Sequence, residues 1–111
     1  MTIWIAPLNQ PEPIRVKLAT TGATTIVPNA PIKQAIGKIR VVNETAGAVT
    51  ANVEIFDGTN AYSLTGVRSI TANDAIEIYD ELLGVGESLR VTAGTGNALV
   101  VHAIFALGAQ R

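Results

Sequence analysis

Residues 49–64 have the sequence Val-Thr-Ala-Asn-Val-Glu-Ile-Phe-Asp-Gly-Thr-Asn-Ala-Tyr-Ser-Leu, and this stretch decides the fold class. Its first half places an apolar side chain at every second position, which is the period of a strand with one face in a core. The next segment, residues 57–60, is a hairpin signal because Gly58 tolerates the positive φ that tight turns need. Residues 61–64 then return along the first strand. The stretch therefore predicts an antiparallel β-hairpin.

The same alternation continues on both sides of this hairpin, and turn residues separate the segments at roughly the spacing of 8–12 residues typical of β-sandwiches. No segment has a convincing helical period. We therefore predict an all-β fold, a single jelly-roll-like β-sandwich of about eight strands that occupies residues 14–111. The predicted strands are residues 14–18, 24–27, 36–43, 49–56, 61–64, 76–79, 89–93 and 99–107.

Residues 1–13 differ from the rest of the chain and are predicted to form an extended N-terminal arm. Three of these thirteen residues are prolines, which remove backbone donors and fix φ. The arm nevertheless holds apolar side chains that a disordered tail tends to lack. Two interpretations remain open: Trp4 covers one end of its own domain, or the arm lies on a neighbouring subunit. The candidate partner-binding residues are Ile3, Trp4, Ile5 and Leu8.

The last predicted strand, residues 99–107, is apolar on both faces. Leu99, Val101, Ala103, Phe105 and Leu107 share one face, and Val100, His102 and Ile104 lie on the other. A strand covered on both sides is either central in its sheet or in contact with another subunit. Val100, His102 and Ile104 are therefore candidate subunit-interface residues.

The chain has few charges: 15% of its residues are Asp, Glu, Lys or Arg, and its net charge is −1. A typical soluble domain has about 25%. The deficit indicates either surface buried against partners or a surface rich in Thr, Asn and Ser. No basic stripe that would track phosphates is evident, so a nucleic-acid partner is not expected. No apolar run approaches the ~20 residues that span a bilayer, and no secretion signal is evident, so neither a membrane partner nor export is expected.

The sequence offers little for chemistry. The absence of cysteine excludes disulfides and thiolate metal sites. His102, the only histidine, lies in the most apolar strand, where a packed histidine is the ordinary case. The acidic residues Glu77, Asp80 and Glu81, predicted at the end of a strand, leave a calcium site as an alternative, although their spacing lacks an Asp-x-Asp-x-Asp-Gly motif. We predict no catalytic residue, no metal site, no cofactor and no enzymatic activity.

Three segments resemble small β-sandwich virion proteins of tailed bacteriophages. Residues 24–28 are Thr-Thr-Ile-Val-Pro, residues 36–43 are Ile-Gly-Lys-Ile-Arg-Val-Val-Asn, and residues 80–92 are Asp-Glu-Leu-Leu-Gly-Val-Gly-Glu-Ser-Leu-Arg-Val-Thr. These correspond to that family's threonine–apolar–Val-Pro opening, its strand ending in Val-Asn, and its late turn ending in Gly-Glu/Asp-Ser-Leu. The resemblance covers roughly residues 14–107.

The resemblance implies a structural virion protein, assembled in the host cytoplasm, that decorates or cements the capsid. Its implied partners are further copies of itself, with a trimer the expected form, and the major capsid protein or another virion protein. A head–tail or tail-fibre-associated component, or a carbohydrate- or receptor-binding module, remains the alternative. Sugar sites usually stack a ring on exposed aromatic side chains, and this chain has few.

Overall fold

The computed structural model describes residues 12–106, which form nine β-strands and no helix. Each strand begins and ends close to the turn residues that bound its alternating segment. The strands are β1 (Ile14–Lys17), β2 (Ala23–Val27), β3 (Gln34–Asn43), β4 (Val49–Phe56), β5 (Ala61–Ser63), β6 (Arg68–Ile70), β7 (Ala75–Leu83), β8 (Ser88–Ala93) and β9 (Leu99–Phe105).

The strand pairing is nested, with the first strand against the last and each later pair one place further in. β1 pairs with β9, β2 with β8, β3 with β7, and β4 with both β5 and β6, all antiparallel. Pairing of β3 with β9 and of β4 with β8 joins them into sheets of order β1-β9-β3-β7 and β2-β8-β4-β5. This is the strand order of a double-sheet jelly roll. The predicted all-β sandwich is confirmed.

The core lies between the two sheets and is built almost wholly from aliphatic side chains. Strand alternation directs every second residue inward, and each sheet contributes a row of residues that solvent does not reach. β9 sits between β1 and β3, with Val101 opposite Val16 on one side and Val41 on the other. The largest fully buried side chains are Leu18, Val27, Ile36, Ile39, Val41, Val53, Ile70, Leu83, Leu89, Val91, Leu99 and Val101.

Asn43, at the end of β3, is a fully buried polar residue that holds two loops together at one end of the sandwich, the β3–β4 loop and the loop after β6. Its Nδ2 donates to the carbonyl oxygens of Gly47, Ile70 and Thr71 at 2.8, 3.0 and 3.2 Å. Its Oδ1 accepts from the Thr45 amide and hydroxyl at 2.9 and 2.7 Å. A buried amide is tolerated because its donors and acceptor are satisfied in this way.

The chain enters and leaves the sandwich at the opposite end. Ile14, the first residue of β1, pairs with Ala103 near the end of β9. The loops after β2 and β7 meet at the same end, where the Gly86 amide donates to the Ala30 carbonyl at 2.9 Å. The segments before β1 and after β9 therefore start from one end of the four-stranded sheet.

The prediction of about eight strands is confirmed, with nine among the described residues; the additional one is Arg68–Ile70, which pairs with β4. Its three residues include one apolar side chain, Ile70, so they show no alternation in the sequence. One detail of the predicted strands was wrong. The acidic residues 80 and 81 do not follow a strand: β7 continues to Leu83 through Asp80, whose φ of 57° marks an irregularity opposite Gly37.

Candidate functional site

The three candidate interface residues lie side by side on the outer face of the four-stranded sheet. Val100, His102 and Ile104 alternate along β9 with core residues and are half-buried. β9 is a central strand of its sheet, and this position explains part of its apolar character without a partner subunit. The outward side chains remain accessible to a partner from the solvent side.

Four of the chain's eight Lys and Arg residues are also on this outer face. Register places Arg15 and Arg40 on either side of His102, Lys17 beside Val100, and Lys38 beside Ile104. No basic stripe is evident along the sequence, but strand pairing gathers on this face cations that are distant in sequence.

Among residues 12–106, the carboxylates that pair with these cations are those of Glu44 and Glu77, which compensate only part of the positive charge of the face. Lys17 pairs with Glu44 at 3.6 Å, and the single carboxylate of Glu77 serves Lys38 at 2.9 Å and Arg40 at 3.9 Å. Two carboxylates therefore form ion pairs with three of the four cations. The carboxylate of Glu77 lies within the row of cations and would repel the phosphates of a bound nucleic acid. The face is therefore poorly suited to a continuous polyanion.

His102 is held in its neutral form on this face. Arg15 Nη1 lies 2.7 Å from His102 Nδ1, and because a guanidinium can only donate, the imidazole nitrogen must be the acceptor. The pKa of His102 lies below its ordinary value of 6.5, because burial disfavours the imidazolium and the positive charges of Arg15 and Arg40 repel it; Glu44 opposes them weakly.

We expect the stability of the domain to fall as the pH drops from 7 to 5. The unfolded chain takes up the His102 proton below about pH 6.5, whereas the folded chain resists it, so the folded state binds fewer protons in this window. Asp57 and Glu77, whose pKa values are also lowered, lose their stabilising effect only nearer pH 4. Thermal melts of the wild type and of His102→Gln at several pH values test this. Between pH 7 and 5 the melting temperature of the variant should fall less steeply with decreasing pH than that of the wild type. Parallel slopes would contradict the assignment.

A depression of about 280 Å³ opens at the centre of the face. Val42 and Ile104 supply its aliphatic part, and Arg15, Lys38, Arg40 and His102 supply its polar rim. Small-molecule pockets begin at about 300 Å³, so the depression suits one large side chain better than a whole substrate.

The outer face of the five-stranded sheet has a different chemistry. It displays hydroxyl and amide side chains around one ion pair, in which Arg90 donates to Glu54 Oε1 at 2.7 and 3.2 Å. The Arg90 guanidinium lies over the Phe56 ring, 4.0 Å from its centre. The neutral polar residues of this face are Thr25, Thr50, Asn52, Ser63, Ser69 and Thr92.

The other predicted sites are placed as follows. Ile3, Trp4, Ile5 and Leu8 lie outside the described residues. Between residues 12 and 106, no three His, Cys, Asp or Glu side chains gather in a way that could hold a metal ion, so the calcium alternative at Glu77, Asp80 and Glu81 has no support there.

The exposed tyrosines do not form a common surface. Tyr79 lies on β7 in the four-stranded sheet, and Tyr62 lies on β5 in the other. No platform of neighbouring aromatic rings for a sugar is thus formed by these two side chains. Across residues 12–106 no helix could cross a membrane.

Comparison with known proteins finds no protein family whose profile matches the chain. No curated protein matches it in sequence. Several solved structures are similar in fold, among them a pentameric capsid protein isolated from metagenomic phage sequences, at 19% identity over 88% of this chain and 60% of that chain, with a TM-score of 0.45. A second structure of a protein with that description has the same identity and TM-score and is covered over 62% of its length.

A third similar structure is the virus-like particle of the extra small virus of the giant freshwater prawn Macrobrachium rosenbergii. Here the identity is 13%, the TM-score is 0.45, and the match covers 95% of this chain and 82% of that one. The chain spans about 60% of the length of the two phage structures. At these identities and TM-scores, the likeness is one of strand arrangement and assigns no function to this chain.

Proposed function

We propose that this chain is a structural virion protein that decorates or cements the capsid of a tailed phage, acts without catalysis, and works as a homo-oligomer, with a trimer as the expected form. The observation that carries the proposal is the outer face of the four-stranded sheet. One fold hosts many functions, so this face, rather than the jelly roll alone, supports the proposal.

The face has the composition of a protein-binding surface. Val42, Val100 and Ile104 are aliphatic and half-buried, and long cationic side chains surround them. Arginine and apolar side chains side by side are characteristic of the centre and rim of protein interfaces. A low share of charged residues in the whole chain supports the same conclusion, because an isolated domain relies on charge for solubility.

The resemblance to phage virion proteins points the same way. Its segments fall on β2, β3 and the β7–β8 hairpin, which are structural elements of the sandwich rather than residues of a reaction centre. Elements of this kind give the domain its shape, which is what a cementing protein contributes to a particle.

The N-terminal arm is proposed to make the contact that holds the assembly together. Removing residues 1–10 should leave a folded domain, because β1 begins only at Ile14. It should weaken binding to phage heads and to neighbouring copies by about a hundredfold, since burial of Trp4 and its apolar neighbours stabilises a contact by a few kcal/mol at ~25 cal/mol per Å².

Circular dichroism reports the fold of this truncated protein, and co-sedimentation with phage heads reports its binding. The full chain should sediment with heads that contain the major capsid protein. Loss of the β-sheet spectrum would mean that Trp4 covers its own domain, and equal binding of both proteins would mean that the arm is only a tail. Sedimentation of the full chain with tails instead of heads would replace decoration by a tail-associated role.

A further inference from the structure

The outer face of the four-stranded sheet combines two properties that few ligands satisfy together. The depression has an aliphatic part at Val42 and Ile104 and a cationic rim at Arg15, Lys38 and Arg40. A carboxylate would pair with the rim but leave the aliphatic part without a partner. An aliphatic side chain would fill the depression but leave the cations unpaired. An indole ring satisfies both, because its body is apolar and its π-face attracts cations.

The described chain already uses this kind of pairing on both sheets. The Arg90 guanidinium lies 4.0 Å from the centre of the Phe56 ring, and Lys38 Nζ lies 5.9 Å from the centre of the Tyr79 ring. Lys38 itself therefore stands between Tyr79 and the depression. A further aromatic ring in the depression would extend an existing row of cations and rings.

We propose that Trp4 of one copy docks into this depression on a second copy, with its indole against Ile104 and beside the guanidinium groups of Arg15 and Arg40. This inference rests on the proposed homo-oligomer and names the surface that receives the arm. Trp4 is the only tryptophan of the chain, and its neighbours Ile3 and Ile5 supply apolar groups for the adjoining Val100.

The reach of the arm favours a second copy over the same one. Ten residue steps separate Trp4 from Ile14, and a proline-rich extended chain advances about 3.1 Å per step, or about 31 Å in all. Within one copy, the depression is only about one to two strand spacings of ~4.8 Å from β1. Docking within one subunit would require the arm to reverse its direction, whereas Pro7, Pro11 and Pro13 favour an extended, polyproline-type backbone.

Because Trp4 is the only tryptophan, its fluorescence in the full chain reports docking directly. At concentrations where light scattering shows oligomers, we expect a blue-shifted emission that acrylamide quenches weakly. Dilution to monomers should shift the emission to that of an indole in water. A blue-shifted emission that persists in monomers would overturn the proposal, since Trp4 would then be covered by its own subunit.

Two matched variants locate the receiving surface. Ile104→Glu places a carboxylate in the depression, and we expect a water-exposed Trp4 and association weakened by about thirtyfold or more, the loss typical of a disrupted aromatic anchor. Thr92→Glu makes a comparable change on the outer face of the other sheet and should behave as the wild type. If Ile104→Glu loses its β-sheet spectrum, Arg40→Ala replaces it, because the Arg40 side chain is about half-exposed and its loss should not unfold the domain. We again expect a water-exposed Trp4 and weaker association.

Mixing two defective proteins tests whether the arm of one copy docks into the depression of another copy. Trp4→Ala copies keep the depression but lack the ring, and Ile104→Glu copies keep the ring but lack the depression. The mixture should recover the blue-shifted emission as heterodimers, without larger oligomers. Two outcomes would show that the arm docks elsewhere. In the first, the mixture does not recover the blue-shifted emission; in the second, Ile104→Glu alone forms oligomers in which Trp4 is still protected from acrylamide. In the second case the homo-oligomer would stand, whereas a wild type that is monomeric both free in solution and on the particle would refute the proposed function itself.

Discussion

Replacing Val101 with Asp is expected to leave the domain unfolded at room temperature. Val101 is fully buried in β9 between Val16 and Val41. Within the described residues 12–106, no Lys or Arg is buried in the core to pair with a carboxylate there, since the cations of β1 and β3 point to the outer face. An unpaired buried charge costs several kcal/mol, comparable to the whole stability of about 5–15 kcal/mol of a small domain.

The matched control is Val100→Asp, one residue earlier in the same strand. Val100 is half-buried on the outer face opposite Lys17, so its carboxylate stays in water beside a cation. We expect this control to lose no more than about 1 kcal/mol. Circular dichroism and urea denaturation compare the two proteins. A soluble Val101→Asp protein with an unchanged melting temperature would mean that the facing of β9 is wrong.

Replacing Asn43 with Asp is expected to have the second largest effect. The substitution exchanges the amide nitrogen that donates to three carbonyl oxygens for a carboxylate oxygen that repels them. The Thr45 amide and hydroxyl satisfy only the other oxygen. We expect a loss of about 3 kcal/mol or more in the free energy of unfolding at neutral pH.

Asn52→Asp provides the same chemical change at a site that should tolerate it. Asn52 is half-buried on the outer face of β4, where its Oδ1 accepts from the Ser63 hydroxyl at 2.5 Å, a bond that a carboxylate oxygen also accepts. Urea denaturation at pH 7 should separate the two variants clearly. Equal losses would indicate that the stability of the loop end does not depend on the Asn43 amide.

Sequence reasoning predicted the features that depend on local alternation. The hairpin of β4 and β5, with Gly58 at a φ of 100°, and the facing of β9 both follow from residues a few positions apart. The jelly roll itself was predicted as a class of fold, because short strands with regular turns favour a sandwich.

Features that depend on pairing between distant segments were not predictable in the same way. The cationic face exists because β9 lies between β1 and β3, so that Arg15 and Arg40 flank His102. The alternation of Arg15 and Lys17, and of Lys38 and Arg40, was visible in the sequence, but strand neighbours were not. Asn43 likewise appeared in the sequence only as the last residue of a strand. Its role in joining loops was not predictable, because its side-chain amide donates to the carbonyl oxygen of Ile70, 27 residues away.

The measurement that tests the proposed function most directly is light scattering of the purified full chain at micromolar concentration. Assembly through the outer face of the four-stranded sheet predicts a homo-oligomer, with the mass of a trimer as the expected value. Its half-buried aliphatic residues and its partly compensated cations are the physical basis of this expectation. A monomer both free in solution and bound to the particle would contradict it.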